Sequence, residues 1–179
     1  MSENNVLPVI LAGGKSRRFG GDKSKAKLGD LTLLDHTIQK LKKKFDEILI
    51  ISNEENNKEI ANVSYSKDVM EGQLGPLVGV LSSMEWILSN RKNYQWVMTF
   101  PCDTPFFNED IVDQIKQKQS QSDKKLFFLK SGEKRHNIFG MWSVDLKDQL
   151  RKDLEAGDRK VEDCAAPLDI VSIDRKSVV

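Results

Sequence analysis

Residues 6–23 read Val6-Leu7-Pro8-Val9-Ile10-Leu11-Ala12-Gly13-Gly14-Lys15-Ser16-Arg17-Arg18-Phe19-Gly20-Gly21-Asp22-Lys23, and this stretch decides the fold. Its first six residues form a short apolar run, the pattern of a buried strand, with Pro8 near the start where a missing donor is tolerated. Small residues follow at once. Glycine lets the backbone turn sharply and approach a ligand, and exposed N–H groups in such a turn can form an anion-binding concavity. From Lys15 to Lys27 six basic residues (Lys15, Arg17, Arg18, Lys23, Lys25, Lys27) face one acid, Asp22. Most loops of this composition are only solvated connections. A loop directly after the first buried strand of an α/β sheet is where phosphates bind, however, and we read it as a nucleotide phosphate cradle.

Outward from this loop the chain alternates between helical and strand patterns. Leu34, Ile38, Leu41 and Phe45 recur at helical spacing over residues 31–45, with lysines toward the end where they complement the helix dipole. His36 on this helix has no second ligand at metal-binding spacing and reads as a surface or packing residue. Residues 47–51 form a second buried strand ending in Ser52-Asn53, and 56–61 read as one or two helical turns. A short strand over 63–66 delivers Lys67-Asp68. Pro76 then starts a helix running through Leu88, since a proline loses nothing at a first helical position. Gly75 and Gly79 are expected to let this helix approach the glycine loop.

Residues 94–100 form the next strand, ending in Pro101-Cys102-Asp103-Thr104-Pro105. A carboxylate at a strand end suits Mg²⁺, which takes one or two protein carboxylates and fills its shell with phosphate oxygens and water. Asn108 caps a helix through Ile115, and 116–125 read as a polar loop. Residues 126–130 and 137–142 read as paired strands. An amphipathic helix over 144–154, the segment Ala156-Gly157-Asp158-Arg159-Lys160-Val161 and a last strand over 169–174 complete the chain. The alternation implies a three-layer α/β/α sandwich with a mostly parallel, Rossmann-like sheet and one antiparallel strand from the late pair.

The length of 179 residues suits one domain, and 39% hydrophobic with 31% charged residues fits a globular protein. A net charge of +1 gives no reason to expect nucleic-acid binding. Two cysteines, Cys102 and Cys164, make neither a disulfide framework nor a metal cluster. Cys102 reads as a small buried neighbour of Asp103. No leader sequence opens the chain and no apolar run is long enough to span a bilayer, so a cytoplasmic location and no membrane partner are expected.

The loop is not a Walker or dinucleotide loop: Gly-x-Gly-x-x-Gly is absent, as is Gly-Lys-Ser/Thr at its required spacing. Leu11 to Lys23 instead resembles the signature of the small nucleotidyltransferases, Leu-Ala-Gly-Gly-x-Ser-x-Arg-Met-Gly-x-Asp-Lys, with Phe19 in place of Met. Within them it resembles the molybdenum cofactor guanylyltransferases. Asp68 followed by Gly75-Pro76-Leu77-Val78-Gly79, and Cys102-Asp103-Thr104-Pro105, match further elements of that family. His136-Asn137 departs from its His-Pro, and its members continue into an Asn-rich segment that this sequence does not carry.

The resemblance spans almost the whole chain as a single nucleotidyltransferase domain (1–179), and is densest in residues 11–23, 68–79 and 102–105. It implies transfer of GMP from GTP to molybdopterin cofactor. It assigns Leu11, Ala12, Gly13, Gly14, Asn53 and Asp68 to the nucleotide, Lys23 and Arg18 to its phosphates, and Asp103 to Mg²⁺ and the nucleotide. Lys23, Arg18 and Asp103 would be the catalytic residues. Molybdoenzymes or other cofactor-biosynthesis proteins would be further partners. Two alternatives stay open: a molybdopterin cytidylyltransferase or other small nucleotidyltransferase, and a nucleotide-binding module without turnover. Related cytidylyl enzymes resemble Leu-Ala-Ala-Gly at the loop, so Gly13 favours guanine.

Overall fold

The computed structural model describes residues 5–13, 26–54, 58–72, 75–131, 134–160 and 170–174. In chain order the elements are β1 (Val6–Leu11), β2 (Lys27–Leu28), β3 (Leu31–Thr32), α1 (Leu33–Leu41), β4 (Ile48–Ile51), β5 (Val63–Ser66) and α2 (Pro76–Ser89). There follow β6 (Trp96–Pro101), α3 (Asp110–Ser120), β7 (Leu126–Ser131), β8 (Lys134–Ser143), α4 (Lys147–Ala156) and β9 (Ile170–Asp174), with a 3-10 turn at Val144–Leu146 before α4.

Apolar runs become strands here because each must fill two cores. Side chains two apart share one face of a strand. Leu7 and Val9 of β1, with Leu49 and Ile51 of β4, enter one hydrophobic cluster; Val6 and Ile10, with Ile48 and Ile50, enter the other. The first cluster is completed by α2 and α4 through Leu77, Leu81, Met84, Leu150 and Leu154. The second is completed by α1 and α3 through Ile38, Leu41, Ile111 and Ile115. Helices therefore cover both faces, giving the expected α/β/α sandwich.

The sheet has the strand order β5-β4-β1-β6-β8-β7-β9. β8 runs antiparallel to both of its neighbours, β6 and β7, whereas the β1–β4, β1–β6, β4–β5 and β7–β9 pairs are parallel. The late strand pair is thus the antiparallel element anticipated from the sequence. Its register slips between Phe128 and Leu129. Gly140 sits opposite Phe128, where an added Cβ would lie 2.8 Å from the Phe127 carbonyl oxygen and 2.8 Å from a Phe128 ring carbon. No larger residue fits there without moving backbone.

Local boundaries differ in several places, four of them instructive. The helix expected over 31–45 is only α1: Leu31–Thr32 pair with β2, and Thr32 caps the helix by accepting the Asp35 N–H while the Asp35 carboxylate bonds back. A capping box fixes a helix start more strongly than apolar periodicity does. The described part of 56–61 is not helical; Asn62 takes φ 59° and the Val63 N–H turns back to Ile60, as asparagine-rich segments favour. α3 extends to Ser120 through Lys116-Gln117-Lys118-Gln119, residues read as loop for their polarity but good helix formers. Its cap is Glu109, and the Asn108 side chain takes the Asp110 N–H.

Candidate active site

Four neighbouring strands end on one line. Ser66, Ile51, Leu11 and Pro101 are register partners in turn across β5, β4, β1 and β6, and each is the last residue of its strand. Two residues beyond that line stand Asp68, Asn53, Gly13 and Asp103. Parallel strands in register deliver their carboxyl ends side by side, so four residues spread over 90 positions of sequence share one edge of the sheet. Ligands of open α/β sheets bind at this edge.

The line is held by main-chain bonds that carry the ladder one step further. The Ala12 N–H donates to the Ile51 carbonyl at 2.9 Å and the Ser52 N–H to Ser66 at 2.9 Å. Ala12 can therefore offer a ligand only its carbonyl oxygen. Leu11 packs on α2 at Gly79, where an added Cβ would come within 2.7 Å of a Leu11 methyl. The expected close approach of this helix is thus made by Gly79. Gly75 has φ 79° at the helix cap and faces a different segment, its would-be Cβ lying 3.5 Å from the Arg159 carbonyl oxygen. Gly14, Arg18 and Lys23 lie outside the described residues.

Asn53 and Asp68 are joined twice. The Asn53 Nδ2 donates to Asp68 Oδ2 at 2.7 Å, and the Asp68 N–H donates to Asn53 Oδ1 at 3.0 Å. This clamp fixes which way the amide points and leaves Asn53 one N–H donor, since an amide carries two. Gly13 completes the cluster: a Cβ there would sit 3.7 Å from Asp68 Oδ2. Burial pushes the Asp68 carboxyl above its ordinary range, opposed by the hydrogen bond from Asn53 and the nearby Ser82 hydroxyl. Among the described residues its partners are neutral dipoles, so there the charge is hydrogen-bonded but not neutralised.

Asp103 is half-buried in the turn after β6, with Pro105 buried beside it. Cys102, expected to be buried, is only partly so and packs at the margin of the second cluster. Among the described residues no three His, Cys, Asp or Glu side chains converge as a metal cage, and no helix is long and apolar enough to cross a membrane.

Three side chains take roles that local sequence did not reveal. Arg159, read as half of a basic pair, donates from Nη1 to the Leu154 and Asp158 carbonyls and so caps the end of α4. Cations suit that end of a helix. His36 Nε2 hydrogen-bonds the Leu28 carbonyl at 2.9 Å and ties the β2–β3 hairpin to α1. Ser82, one of the few buried polar residues of α2, bonds the main chain beside Asp68. The signal for Ser82 was there to be read: paired serines, Ser82-Ser83, inside an apolar helix.

Comparison with known proteins agrees with this architecture. Residues 8–169 match the model of the MobA-like NTP transferase domain. A molybdenum cofactor guanylyltransferase from Nitrobacter hamburgensis is 33% identical over 157 residues, covering 86% of this chain and 75% of that protein. The enzyme of the same name from Haemophilus influenzae is 35% identical over 159 residues, covering 87% and 80%. Among solved structures, molybdopterin-guanine dinucleotide biosynthesis protein A from Archaeoglobus fulgidus superposes with a TM-score of 0.79 at 15% identity, over 96% of this chain and 84% of that one. The chain belongs to the MobA-like NTP transferase family and, within it, to the molybdenum cofactor guanylyltransferases.

Proposed function

We propose that this protein, acting as a single nucleotidyltransferase domain, transfers GMP from GTP to molybdopterin cofactor and releases pyrophosphate. The observation that carries this reading is the common strand-end line, which sets Asp68, Asn53 and Gly13 beside one another and Asp103 in the turn after the adjoining strand β6. One end of the line offers the groups to read a base, the other a carboxylate for a cation. Asn53 retains an N–H donor and Asp68 a carboxylate acceptor, a pair that suits a guanine with its carbonyl oxygen, its ring N–H and its exocyclic amino group. The main chain at Leu11 to Gly13 runs between, and in this reading Gly14 binds the nucleotide while Arg18 and Lys23 supply cations for the triphosphate.

In the reaction an oxygen of the acceptor's terminal phosphate forms a bond to the α-phosphorus of GTP. The bond from that phosphorus to the bridging oxygen of the β-phosphate breaks, and pyrophosphate leaves with the electron pair. No covalent intermediate with the protein is required. The residues act by positioning and by meeting developing charge with groups already in place. Asp103 is the residue for a divalent cation, Mg²⁺ in our reading. Among the described residues no cage of ligands surrounds this carboxylate, and one carboxylate suits a hard ion that keeps phosphate oxygens and water. When bound, the ion would neutralise charge on the transferring phosphate and the departing pyrophosphate. A cytoplasmic location, where GTP is available, belongs to the same proposal.

The test is incubation with GTP, Mg²⁺ and molybdopterin cofactor, with assay of the guanine dinucleotide and of pyrophosphate. We expect both products, and a preference for GTP over CTP of roughly tenfold or more, because a site that pairs polar groups rejects a base that leaves them unpaired. Equal incorporation of CMP would overturn the base assignment. Absence of any dinucleotide would overturn the acceptor.

A further inference from the structure

We propose that Ser82 is a positioning residue for nucleotide recognition: it sets the Asp68 turn from inside α2. This rests on the reading of Asn53 and Asp68 as base contacts. Ser82 is 1% exposed and stands in the middle of a helix whose neighbouring positions are almost all apolar. Its Oγ donates to the Val78 carbonyl at 2.6 Å and accepts the Val69 N–H at 2.9 Å. Serine is not a strong helix former, and a buried hydroxyl must be satisfied. The bond to Val78 alone meets that need, as it commonly does for a mid-helix serine. The bond from Val69 does something else, joining α2 to the residue that follows Asp68.

Two clamps thus hold Asp68. Asn53 grips its side chain and its N–H from β4, and Ser82 grips the next N–H from α2. The same helix meets β1 through Gly79 and Leu11, one turn before Ser82. α2 therefore references the base-reading turn and the start of the glycine loop to one rigid body. With Ser82 removed, the Val69 N–H loses its acceptor and Asp68 keeps only the Asn53 clamp. The turn then samples positions in which Asn53 and Asp68 no longer face one base edge together.

Ser83 supplies an internal control. It is 0% exposed, and its Oγ donates to the Val80 carbonyl at 2.6 Å within the same helix, away from the 68–69 turn. The experiment compares Ser82→Ala and Ser83→Ala for thermal stability, for calorimetric binding of guanosine and of inorganic triphosphate, and for KM(GTP) and kcat. Both variants lose some stability. Only Ser82→Ala should lose guanosine affinity and raise KM(GTP), by roughly tenfold for one buried hydrogen-bond site, with triphosphate binding and kcat near wild type. Ser82→Thr, which keeps the hydroxyl, should recover most of the affinity.

Guanosine binding by Ser82→Ala equal to wild type overturns the inference, as does an equal loss in Ser83→Ala. Failure of the underlying reading looks different. Wild-type protein would then bind GTP no more tightly than inorganic triphosphate, and Ser82 would have no base site to position.

Discussion

The two ends of the sheet each carry a carboxylate, and they treat it in opposite ways. At the amino end Glu47, just before β4, receives the Lys92 Nζ at 2.9 and 3.2 Å and the Tyr94 hydroxyl at 2.7 Å. Its charge has a cation and its oxygens are bonded from within the protein. Burial, with the hydrogen bond to Glu47, pushes the Tyr94 hydroxyl up, so that the phenol stays a donor. At the carboxyl end Asp68 is hydrogen-bonded by the amide of Asn53, and among the described residues no cation pairs with it. A carboxylate satisfied from within closes an end of a sheet. One held in place but left charged keeps free energy in reserve for a ligand.

The largest effect that would sharpen this contrast belongs to Asp103. Asp103→Asn keeps the size but removes the charge that a hard cation requires. We expect turnover to fall roughly a hundredfold or more, in line with loss of one electrostatic stabiliser, with the fold unchanged because no cavity forms. Near-normal dinucleotide formation by the folded variant would remove the carboxylate from the mechanism.

Asp68→Asn gives a smaller and two-sided effect. GTP affinity should fall about tenfold through loss of the charged acceptor. Stability of the ligand-free protein should rise. The folded pKa of Asp68 lies above its unfolded value, so its favourable contribution is complete below the ordinary carboxylate pKa and is lost as pH rises through the folded pKa. At pH 7 the variant, which carries no charge to bury, should melt a few degrees higher, about 1 kcal/mol. The difference should shrink toward pH 4. A lower melting temperature at pH 7 would show that Asp68 is compensated after all, and the contrast with Glu47 would fail.

Glu47→Gln should give the smallest effect and only on stability. Lys92 and Tyr94 lose a charged acceptor at a partly exposed site, so we expect about 1 kcal/mol and a few degrees in Tm. KM(GTP) and kcat should not move. A kinetic defect in this variant would mean that the amino end communicates with the site.

The strand ends could be placed from sequence because a strand bounded by polar residues is a local pattern. Asn53 and Asp103 each follow an apolar run, Asp68 follows the short alternating strand Val63–Ser66, and Gly13 follows β1. The helix bounds were less legible. Polar Lys116-Gln117-Lys118-Gln119 read as loop although helix propensity favoured extension of α3, and the Thr32–Asp35 capping box outweighed the apolar pattern at the start of α1.

By itself the sequence determined the main strands of the sheet, the four helices packed on it and the burial of β1 and β4, because periodicity and β-branching act within a few residues. Only the tertiary structure decided which polar side chains meet. Strand register put the Asn53 amide against Asp68, and the packing of α2 on β1 put Ser82 under Val69. The turn after α4 sent the Arg159 guanidinium to the Leu154 carbonyl. Such pairings depend on how separate elements dock. A hydrogen bond needs its partners within about 3 Å, a condition that no spacing along a chain can express.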